Sequence, residues 1–579
     1  MKLPSSFRKH LFPLILTFLL IITALINYNN QTSFEEFTHS IFLDEISSNT
    51  INLHYSIENP ATYGIKQYDI SLGSFSKEAR TQNKDSLNKT LQTLSSYSYL
   101  TLSTEEKLTY DILEDYLNTQ LKLCNYELYQ EPLSASGGLH VELPILFAEY
   151  KFHTEQDVID YLSLISLTDE YYTELISFEK EKATAGLFMS KAQCQTVIES
   201  CHSFLENPDS HYLVTTFASR LDNLSLNDKK KTFYIEENER ILHTQVFRAY
   251  EFLITELTLL QDKGTNELGL CHYDHGREYY QLLVYSGTGC KDSVDDIFNN
   301  IEAQRADDLL ICAKLQEKDP SIIEQCAFLE WEMTTPQSMV DCLQNELLTD
   351  FPSPPETTCS INYVAPALEE YLAPAFYIVA PLDNYLENTI YINNAYVSND
   401  LYGFTTLAHE SYPGHLYQTV MSYEYELPLV RSVLNYDGYT EGWATYIEMM
   451  SYDYANLNED VASMLAHNQA ASLSLYASSD IGLHYYGWDK DDMYDFWNRY
   501  GISDTATIDK ITQLILSEPG NYLKYYVGYL EFLDLQESIR TSLGEKFSLQ
   551  EFHRTILDIG PAPFSILEKY FWVYYSPQT

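Results

Sequence analysis

Basic side chains are scarce in this sequence of 579 residues, which has 35 Lys and Arg against 83 Asp and Glu. The formal net charge of −48 at pH 7 repels phosphate groups. A nucleic-acid partner is therefore not expected, and the folded body is not expected to dock on anionic lipid. Because 45% of the residues are hydrophobic, the composition predicts an acidic surface around a large core.

Cysteine is also sparse, with nine residues of which none follows Cys359. Their number is odd and their spacing is not that of a zinc knuckle, so the sequence does not determine which of them pair. The first is Cys124, which excludes a lipid-modified cysteine at an N-terminal signal junction. A cysteine nucleophile is excluded from the region after Cys359.

The N-terminal segment combines a basic start with an apolar run. Three basic residues within the first ten precede an uncharged stretch over residues 11–26, and the next charged residue is Glu35. This pattern predicts a secretory signal or a membrane anchor over residues 1–34. We favour an uncleaved anchor, because no small-x-small cleavage site follows the run. The body is then exported and faces outside the cell membrane, or is secreted if the signal is cleaved.

Internal repeats and low-complexity blocks are not found, and alternating strand patterns are scarce. Helical spacing predominates. Ser103 and Glu106 form a capping box before an amphipathic stretch, and residues 246–260 place apolar side chains at helical intervals. A short apolar segment over residues 389–393 predicts one strand. The predicted fold is therefore mainly α, with at most a small β-sheet.

A proline-rich break at residues 351–356 is the best candidate for a boundary within the chain. It separates a helical lobe, residues 35–350, from a second lobe, residues 351–579. Two helical lobes around a cleft fit the pattern better than separable domains. Residues 35–579 are accordingly expected to form one integrated unit.

The motif on which the functional prediction rests lies within residues 406–418. His409 is followed directly by Glu410, and a second histidine, His415, follows Pro413 and Gly414. Two imidazoles can bind a zinc ion while the adjacent carboxylate takes a proton from the metal-bound water. The pattern therefore predicts a catalytic zinc site.

The spacing of the two histidines differs from the familiar four-residue step. In a straight helix a six-residue step turns the second side chain roughly 120° away from the first. His409 and His415 therefore cannot reach one ion on an undistorted helix. Pro413 removes a backbone donor and Gly414 accepts unusual dihedral angles, so a kink or bulge between the histidines is predicted.

A third metal ligand is expected on a following helix. Glu441, Thr445 and Glu448 occupy the i, i+4 and i+7 positions of one helix face. We predict Glu441 as the third ligand, with a water in the remaining position. Thr445 and Glu448 are candidates to orient an imidazole through its second nitrogen.

The runs HExxPGHxxQ and EGWAxYxE together resemble a bacterial family, the domain-of-unknown-function 885 family of the zincin-like metallopeptidase clan. The other blocks that resemble this family are Asp480-x-Gly482-x-His484 with Gly487-Trp488, Pro519-Gly520 with Tyr525 and Gly528, and Glu551-Phe552-His553 with Gly560 and Pro563. The likeness runs from about residue 35 to the end and is strongest after residue 370. It implies a mostly helical zincin-type fold with a deep cleft, one zinc ion per chain, and metal ligands at His409, His415 and Glu441.

The predicted activity is zinc-dependent hydrolysis of peptides or oligopeptides outside the cytoplasm. Glu410 would accept a proton from the water and deliver it to the leaving amine. The developing oxyanion needs a further hydrogen-bond donor, for which His484 and Tyr525 are the candidates, with Tyr526 if the register differs by one. The sequence does not select endo-, amino- or carboxypeptidase action, and it does not predict an oligomeric state.

A second class of function stays open from the sequence alone. The same cleft would suit a non-catalytic, membrane-anchored protein that binds peptide or metal. Of the remaining histidines, His553 is interpreted as structural, whereas His140, His272 and His275 are interpreted as exposed loop residues.

Overall fold

The computed structural model describes residues 30–575 except 330, 332, 334, 365–368, 370–371 and 398–399. The predicted signal or anchor, residues 1–34, lies almost wholly outside the described residues. Within the described part of the chain, no helix is both long enough and apolar enough to cross a membrane.

Helices make up most of the structure. Those before the sheet are α1 (residues 30–46), α2 (Thr50–Ser56), α3 (Lys77–Ser95), α4 (Thr104–Leu123), α5 (Leu139–Glu149), α6 (Glu155–Ile165), α7 (Thr168–Ala185), α8 (Lys191–Phe204), α9 (Tyr212–Leu221), α10 (Asp228–Ile241), α11 (Phe247–Leu260), α12 (Gly276–Thr288), α13 (Val294–Lys318), α14 (Ile322–Ala327) and α15 (Pro336–Glu346). Those after it are α16 (Leu401–Glu410), α17 (His415–Glu424), α18 (Asp437–Tyr454), α19 (Glu459–Ile481), α20 (Lys490–Arg499), α21 (Thr505–Ser517), α22 (Asn521–Leu543), α23 (Leu549–Ile559) and α24 (Phe564–Tyr574).

The local signals in the sequence account for several of these boundaries. Helix α4 begins directly after Ser103, whose hydroxyl accepts from the Glu106 N–H at 3.2 Å. The Glu106 carboxylate accepts from the Ser103 N–H at 2.7 Å, which completes the predicted capping box. The segment around residues 351–356 is not helical, because its prolines lack the backbone donors that a helix needs.

The described residues contain one small sheet of three strands, β1 (Thr358–Tyr363), β2 (Ala375–Ile378) and β3 (Glu387–Ile392). Strand β3 is central, pairing in parallel with β1 and antiparallel with β2. The predicted strand at residues 389–393 is therefore the central one. The prediction of a mainly α fold with a small sheet is confirmed.

Two hydrophobic clusters account for most of the core. The larger one contains buried side chains from Phe34 to Phe571, so its packing crosses the proline-rich break at residue 351. The second consists of residues between Leu72 and Leu260, together with Val364. The division into lobes at 35–350 and 351–579 stays a prediction.

Helices α18 and α22 pack at unusually close range within the larger cluster. A Cβ atom at Gly528 of α22 would lie 2.7 Å from the Cα of Gly442 of α18, and it would collide with the carbonyl oxygen of Gly438. Only glycine at these positions lets the two backbones touch. This contact sets the separation of the side chains that the two helices direct into the candidate site.

Candidate metal centre

The segment between the two motif histidines interrupts the helix. Helix α16 ends at Glu410 and α17 begins at His415, with a turn over residues 411–414 and a cis peptide bond between Tyr412 and Pro413. Gly414 packs against the His409 carbonyl so closely that a Cβ atom would collide with it. The imidazole rings of His409 and His415 consequently lie 4.8 Å apart between centroids, at 84° to each other. The predicted distortion is present, as a complete break between two helices.

The second motif is tied to this turn by its tryptophan. Trp443 of α18 is fully buried, and its indole N–H donates to the Pro413 carbonyl at 2.9 Å. The turn that contains Pro413 and the helix that carries Glu441 are therefore held together directly. This hydrogen bond directly connects the EGWA run to the histidine motif.

Glu441 lies between the two histidines. Its Oε2 atom is 3.6 Å from Nε2 of His409 and 3.4 Å from Nε2 of His415. The three side chains are 13% to 20% exposed, so the group is largely buried but still reached by solvent. The structure thus brings together the three residues that the sequence predicted as metal ligands.

Glu410 is the second carboxylate beside the histidines. His409, Glu410 and His415 form a group whose potential ligand atoms lie within 4.8 Å of one another. Two carboxylates, those of Glu410 and Glu441, therefore lie beside the two imidazoles. Glu410 accepts a hydrogen bond at Oε2 from the backbone N–H of Tyr377 in β2, at 2.9 Å, whereas Glu441 makes the shorter approaches to both imidazoles. Of the two carboxylates, Glu441 is therefore the closer to both imidazoles.

Glu448 faces the other nitrogen of His409. Its Oε2 lies 3.5 Å from Nδ1 of that ring, and its Oε1 accepts from Gln469 of α19 at 3.2 Å. This is the contact through which a carboxylate orients a metal-binding imidazole. Thr445, the other candidate for that role, is buried, and its hydroxyl has no hydrogen-bond partner among the described residues.

The carboxylates around His409 stabilise the protonated, positively charged form of its imidazole. Burial lowers the pKa of His409, but the carboxylates of Glu441 and Glu448 outweigh burial and raise it to about 10. Burial raises the pKa of Glu441, but contacts with His409 and His415 outweigh it and hold the pKa well below its ordinary value. Burial is the main reason that the pKa of Glu410 is raised.

Tyr525 of α22 faces the same group. Its ring centroid is 6.3 Å from that of His409. Burial, and then the charges of Glu441 and Glu410, raise the pKa of its phenol, so the hydroxyl stays protonated and can donate. Its neighbour Tyr526 is enclosed on another face of the helix, where Asp308 and not the histidine group raises its pKa after burial. Of the two tyrosines that the sequence offered, Tyr525 is therefore the one that faces the histidines.

The predicted catalytic role of His484 is wrong. This residue is 1% exposed, its Nδ1 accepts from the Leu270 N–H at 3.1 Å, and its Nε2 donates to the Ile515 carbonyl at 3.0 Å. Burial lowers its pKa to about 4, so the ring is neutral. With both nitrogens engaged by the backbone, it joins three segments and has no free atom for a substrate.

Of the remaining histidines singled out in the sequence, two are buried and two are exposed. His553 is fully buried and is hydrogen-bonded to the Asp350 carbonyl and the Tyr446 hydroxyl, which confirms its structural interpretation. His272 and His275 are exposed, as predicted. The prediction for His140 is wrong, because this residue lies in helix α5 and is only 2% exposed.

The sequence pattern of a bacterial protein family of unknown function (DUF885) matches residues 59–570. The chain belongs to this family. The family resemblance derived from the motifs is therefore confirmed. No curated protein matches this DUF885 chain.

Solved structures resemble the DUF885 chain over nearly its full length. A candidate lipoprotein from Colwellia psychrerythraea superposes with a TM-score of 0.84 at 18% identity, covering 94% of this chain and 99% of that chain. A candidate lipoprotein of unknown function from Shewanella oneidensis has a TM-score of 0.64 at 15% identity, covering 93% and 99%. These two show that the fold is shared. A candidate oligoendopeptidase F from Bacillus anthracis str. Ames has a TM-score of 0.30 at 10% identity, covering 85% and 96%, which supports no further argument.

Two contacts in the DUF885 site had no signal in the sequence. The Tyr377 contact is a backbone N–H of an edge strand, which any residue supplies, and its approach to Glu410 depends on how the sheet meets α16. Gln469 is an ordinary polar residue in the sequence of the long helix α19. Its hydrogen bond to Glu448 arises only because α19 packs beside α18. Only the folded arrangement identifies either one.

Proposed function

We propose that this DUF885 protein is a zinc-dependent peptidase whose metal is held by His409, His415 and Glu441. The observation that carries the proposal is the convergence of two imidazole Nε2 atoms on one carboxylate oxygen, within 3.6 Å, beside a second carboxylate. A purely structural zinc site would use four protein ligands and would not need Glu410.

The residues present fit a zinc ion. Two imidazoles and a glutamate form the ligand set of zinc peptidases, with one position left for water. Glu448 lies at the second nitrogen of His409, so that ring is already oriented with Nε2 towards the group. A bound zinc ion would polarise the scissile carbonyl and lower the pKa of its water towards neutrality.

The chain's own residues supply the remaining steps. Glu410, held by the Tyr377 N–H, accepts the proton of the attacking water and transfers it to the leaving amine. Burial raises the pKa of Glu410 towards neutral pH. A general base works best when its pKa lies near the working pH, because it can then both accept and release a proton. Tyr525 donates a hydrogen bond to the oxyanion that develops on the former carbonyl oxygen.

We also propose that the protein is exported and acts outside the cytoplasm, either anchored through its N-terminal segment or secreted. The support is the basic start and apolar run of residues 1–34, and the description of two structural neighbours as candidate lipoproteins. The acidic surface, with a net charge of −48, suits a protein that does not adhere to anionic lipid.

The first prediction separates metal binding from catalysis. Native protein should hold close to one zinc ion per chain by elemental analysis, and His409→Ala should lose it. Glu410→Gln should keep the metal and lose peptide hydrolysis by at least about 1000-fold, because the amide cannot accept the proton.

Two results would contradict the proposal. Native protein that remains metal-free after zinc is supplied would remove the metal site itself. Zinc binding with no hydrolysis of a peptide library, by the native protein as by Glu410→Gln, would instead leave a non-catalytic peptide- or metal-binding protein.

A further inference from the structure

The first turn of α1 is held against the loop that connects α3 to α4, residues 96–103. The Asn30 side-chain amide donates to the Thr101 hydroxyl at 2.9 Å. The Ser33 carbonyl accepts from the Tyr97 hydroxyl, also at 2.9 Å. The point at which the predicted N-terminal anchor joins the body is therefore fixed beside this loop.

Helix α24 packs beside the same loop. The Lys569 ammonium donates to the Tyr99 hydroxyl at 3.4 Å, and the Tyr570 hydroxyl lies 3.3 Å from that of Tyr99. Burial and then the charge of Glu105 raise the pKa of Tyr574 to about 12. Because Glu105 belongs to the first turn of α4, the last turn of α24 lies at the same end of the molecule as the loop.

Three large apolar side chains are exposed at this end. Leu100 of the loop is 87% exposed, and Val573 and Trp572 of α24 are 56% and 49% exposed. Trp572 and Val573 follow Lys569 by three and four residues, so they share the side of α24 that carries the contact with the loop. A single exposed apolar residue is ordinary, whereas a group that includes a tryptophan is typical of an interaction surface. We call these three residues the apolar face.

The charged residues around the apolar face indicate which kind of surface it suits. The ammonium groups of Lys107 and Lys569 each lie 5.9 Å from the centroid of the Tyr99 ring. Tryptophan, tyrosine and lysine together are typical of the boundary between lipid and water. Glu105 and Glu568 are exposed beside the face, so it carries no excess of positive charge and gains nothing from anionic lipid. A bilayer of neutral, zwitterionic lipid matches this combination.

The position of the apolar run in the sequence brings such a bilayer close to the apolar face. The run ends at residue 26, four residues before Asn30. A chain covers at most about 3.6 Å per residue, so the run ends within about 14 Å of Asn30. If residues 11–26 are held in a membrane, the surface of that membrane lies within this distance of the loop that carries Leu100.

We propose that the apolar face, formed by Leu100, Trp572 and Val573, inserts into the surface of the phospholipid bilayer that holds the N-terminal segment. The body is then attached to the membrane at two places, which fixes its orientation, whereas the anchor alone would leave the body free to turn. This inference rests on the proposed export and anchoring of the protein. It does not depend on the peptidase chemistry.

The first test measures contact between Trp572 and lipid. The full chain, residues 1–579, would be reconstituted into phosphatidylcholine vesicles, with or without bromine on the acyl chains, and its attachment checked by flotation. Bromine quenches the fluorescence of a tryptophan that touches it, so native protein should be dimmer in the brominated vesicles. Trp572→Phe should abolish this difference. Trp488→Phe is the control and should keep it, because Trp488 packs against Gly482 within the protein.

The second test keeps Trp572 and changes its two apolar neighbours. The double variant Leu100→Glu, Val573→Glu should lose the quenching by brominated lipid while it still floats with the vesicles, because carboxylates are unfavourable in hydrocarbon. Both side chains are exposed, so the helical content measured by circular dichroism should not change. Leu259→Glu is the control, since Leu259 is 69% exposed on α11, which packs against α7 and α8. It should be quenched like native protein.

The outcomes separate this inference from the other proposals. Protein that floats with the vesicles but is equally bright in both kinds of lipid overturns the inference and leaves the anchor standing. Protein that does not float overturns the anchor and the inference together. Quenching that persists in Trp572→Phe shows that a different tryptophan contacts the lipid, and it also overturns the inference. None of these measurements involves hydrolysis, so the peptidase proposal is decided by its own test.

Discussion

Two adjacent tyrosines of α22 have different surroundings, although the sequence presents them alike. Consecutive helix residues point about 100° apart, so Tyr525 reaches the face shared with His409 while Tyr526 turns into the core. The phenol of Tyr525 stays protonated because burial and two nearby carboxylates raise its pKa. A neutral donor at this position is what a developing oxyanion requires.

Tyr525→Phe removes that donor and leaves the ring in place. If the hydroxyl stabilises the oxyanion, kcat should fall roughly 100- to 1000-fold with little change in KM, and zinc content should not change. Steady-state kinetics together with elemental analysis make the measurement. Tyr526→Phe is the matched control and should keep near-native kcat. A drop in kcat of the same size for both variants would exclude a catalytic role for Tyr525.

At the scale of elements, the site depends on how closely two helices approach. The carboxylate of Glu441 comes from α18 and the phenol of Tyr525 from α22, and these helices touch through Gly442 and Gly528. A hydrogen bond also fixes the start of α22, because the buried Asp480 carboxylate accepts from the Gly520 N–H at 2.9 Å. The family blocks around Asp480, Gly520 and Gly528 therefore help to position Glu441 and Tyr525 at the candidate metal centre.

Gly528→Ala should separate α18 from α22, because the added methyl has no space against Gly438 and Gly442. We expect a loss of about 1–3 kcal/mol in the free energy of unfolding and a larger fall in kcat than in zinc content. Chemical denaturation, kinetics and metal analysis would be compared. Gly287→Ala in α12 is the control, since a Cβ there meets nothing within 4 Å. It should be neutral or stabilising. Native kinetics in Gly528→Ala would refute the positioning argument.

At the scale of the whole molecule, buried neutral histidines join distant parts of the chain. His484 links the segments at Leu270 and Ile515, and His553 links Asp350 to Tyr446. Burial lowers the pKa of His484 to about 4 and that of His553 to about 3. Each pKa is below its value in the unfolded chain, so the stability contributed is fully present above about pH 6.5 and is lost as the pH falls through the folded-state pKa.

Comparing His553→Gln with the native protein tests this dependence of stability on pH. The difference in free energy of unfolding between native and variant should be largest above pH 6.5 and should shrink by roughly 3 kcal/mol towards pH 4. Urea denaturation across this pH range measures it. The exposed His275→Gln is the control and should follow the native curve. A difference that is constant with pH would show that His553 is not held neutral in the folded protein.

Local patterns in the sequence were sufficient to predict many of the helices and the break between the two histidines. The capping box at Ser103 and the period of residues 246–260 predicted helices, because short-range hydrogen bonds and one-sided burial act within a few residues. The Pro413–Gly414 pair predicted a break between the histidines for the same reason. The side chains of the candidate metal centre could likewise be named from spacing and chemistry alone.

Other assignments depended on contacts between residues far apart in the chain. The sequence offered both His484 and Tyr525 as candidate donors. Only the packing of helices showed that His484 has both nitrogens bonded to backbone, whereas Tyr525 faces His409. The sequence by itself determined which groups could bind metal and move a proton. Burial, charge pairing and the direction of each side chain were decided by tertiary structure, because they arise only when separate elements pack together.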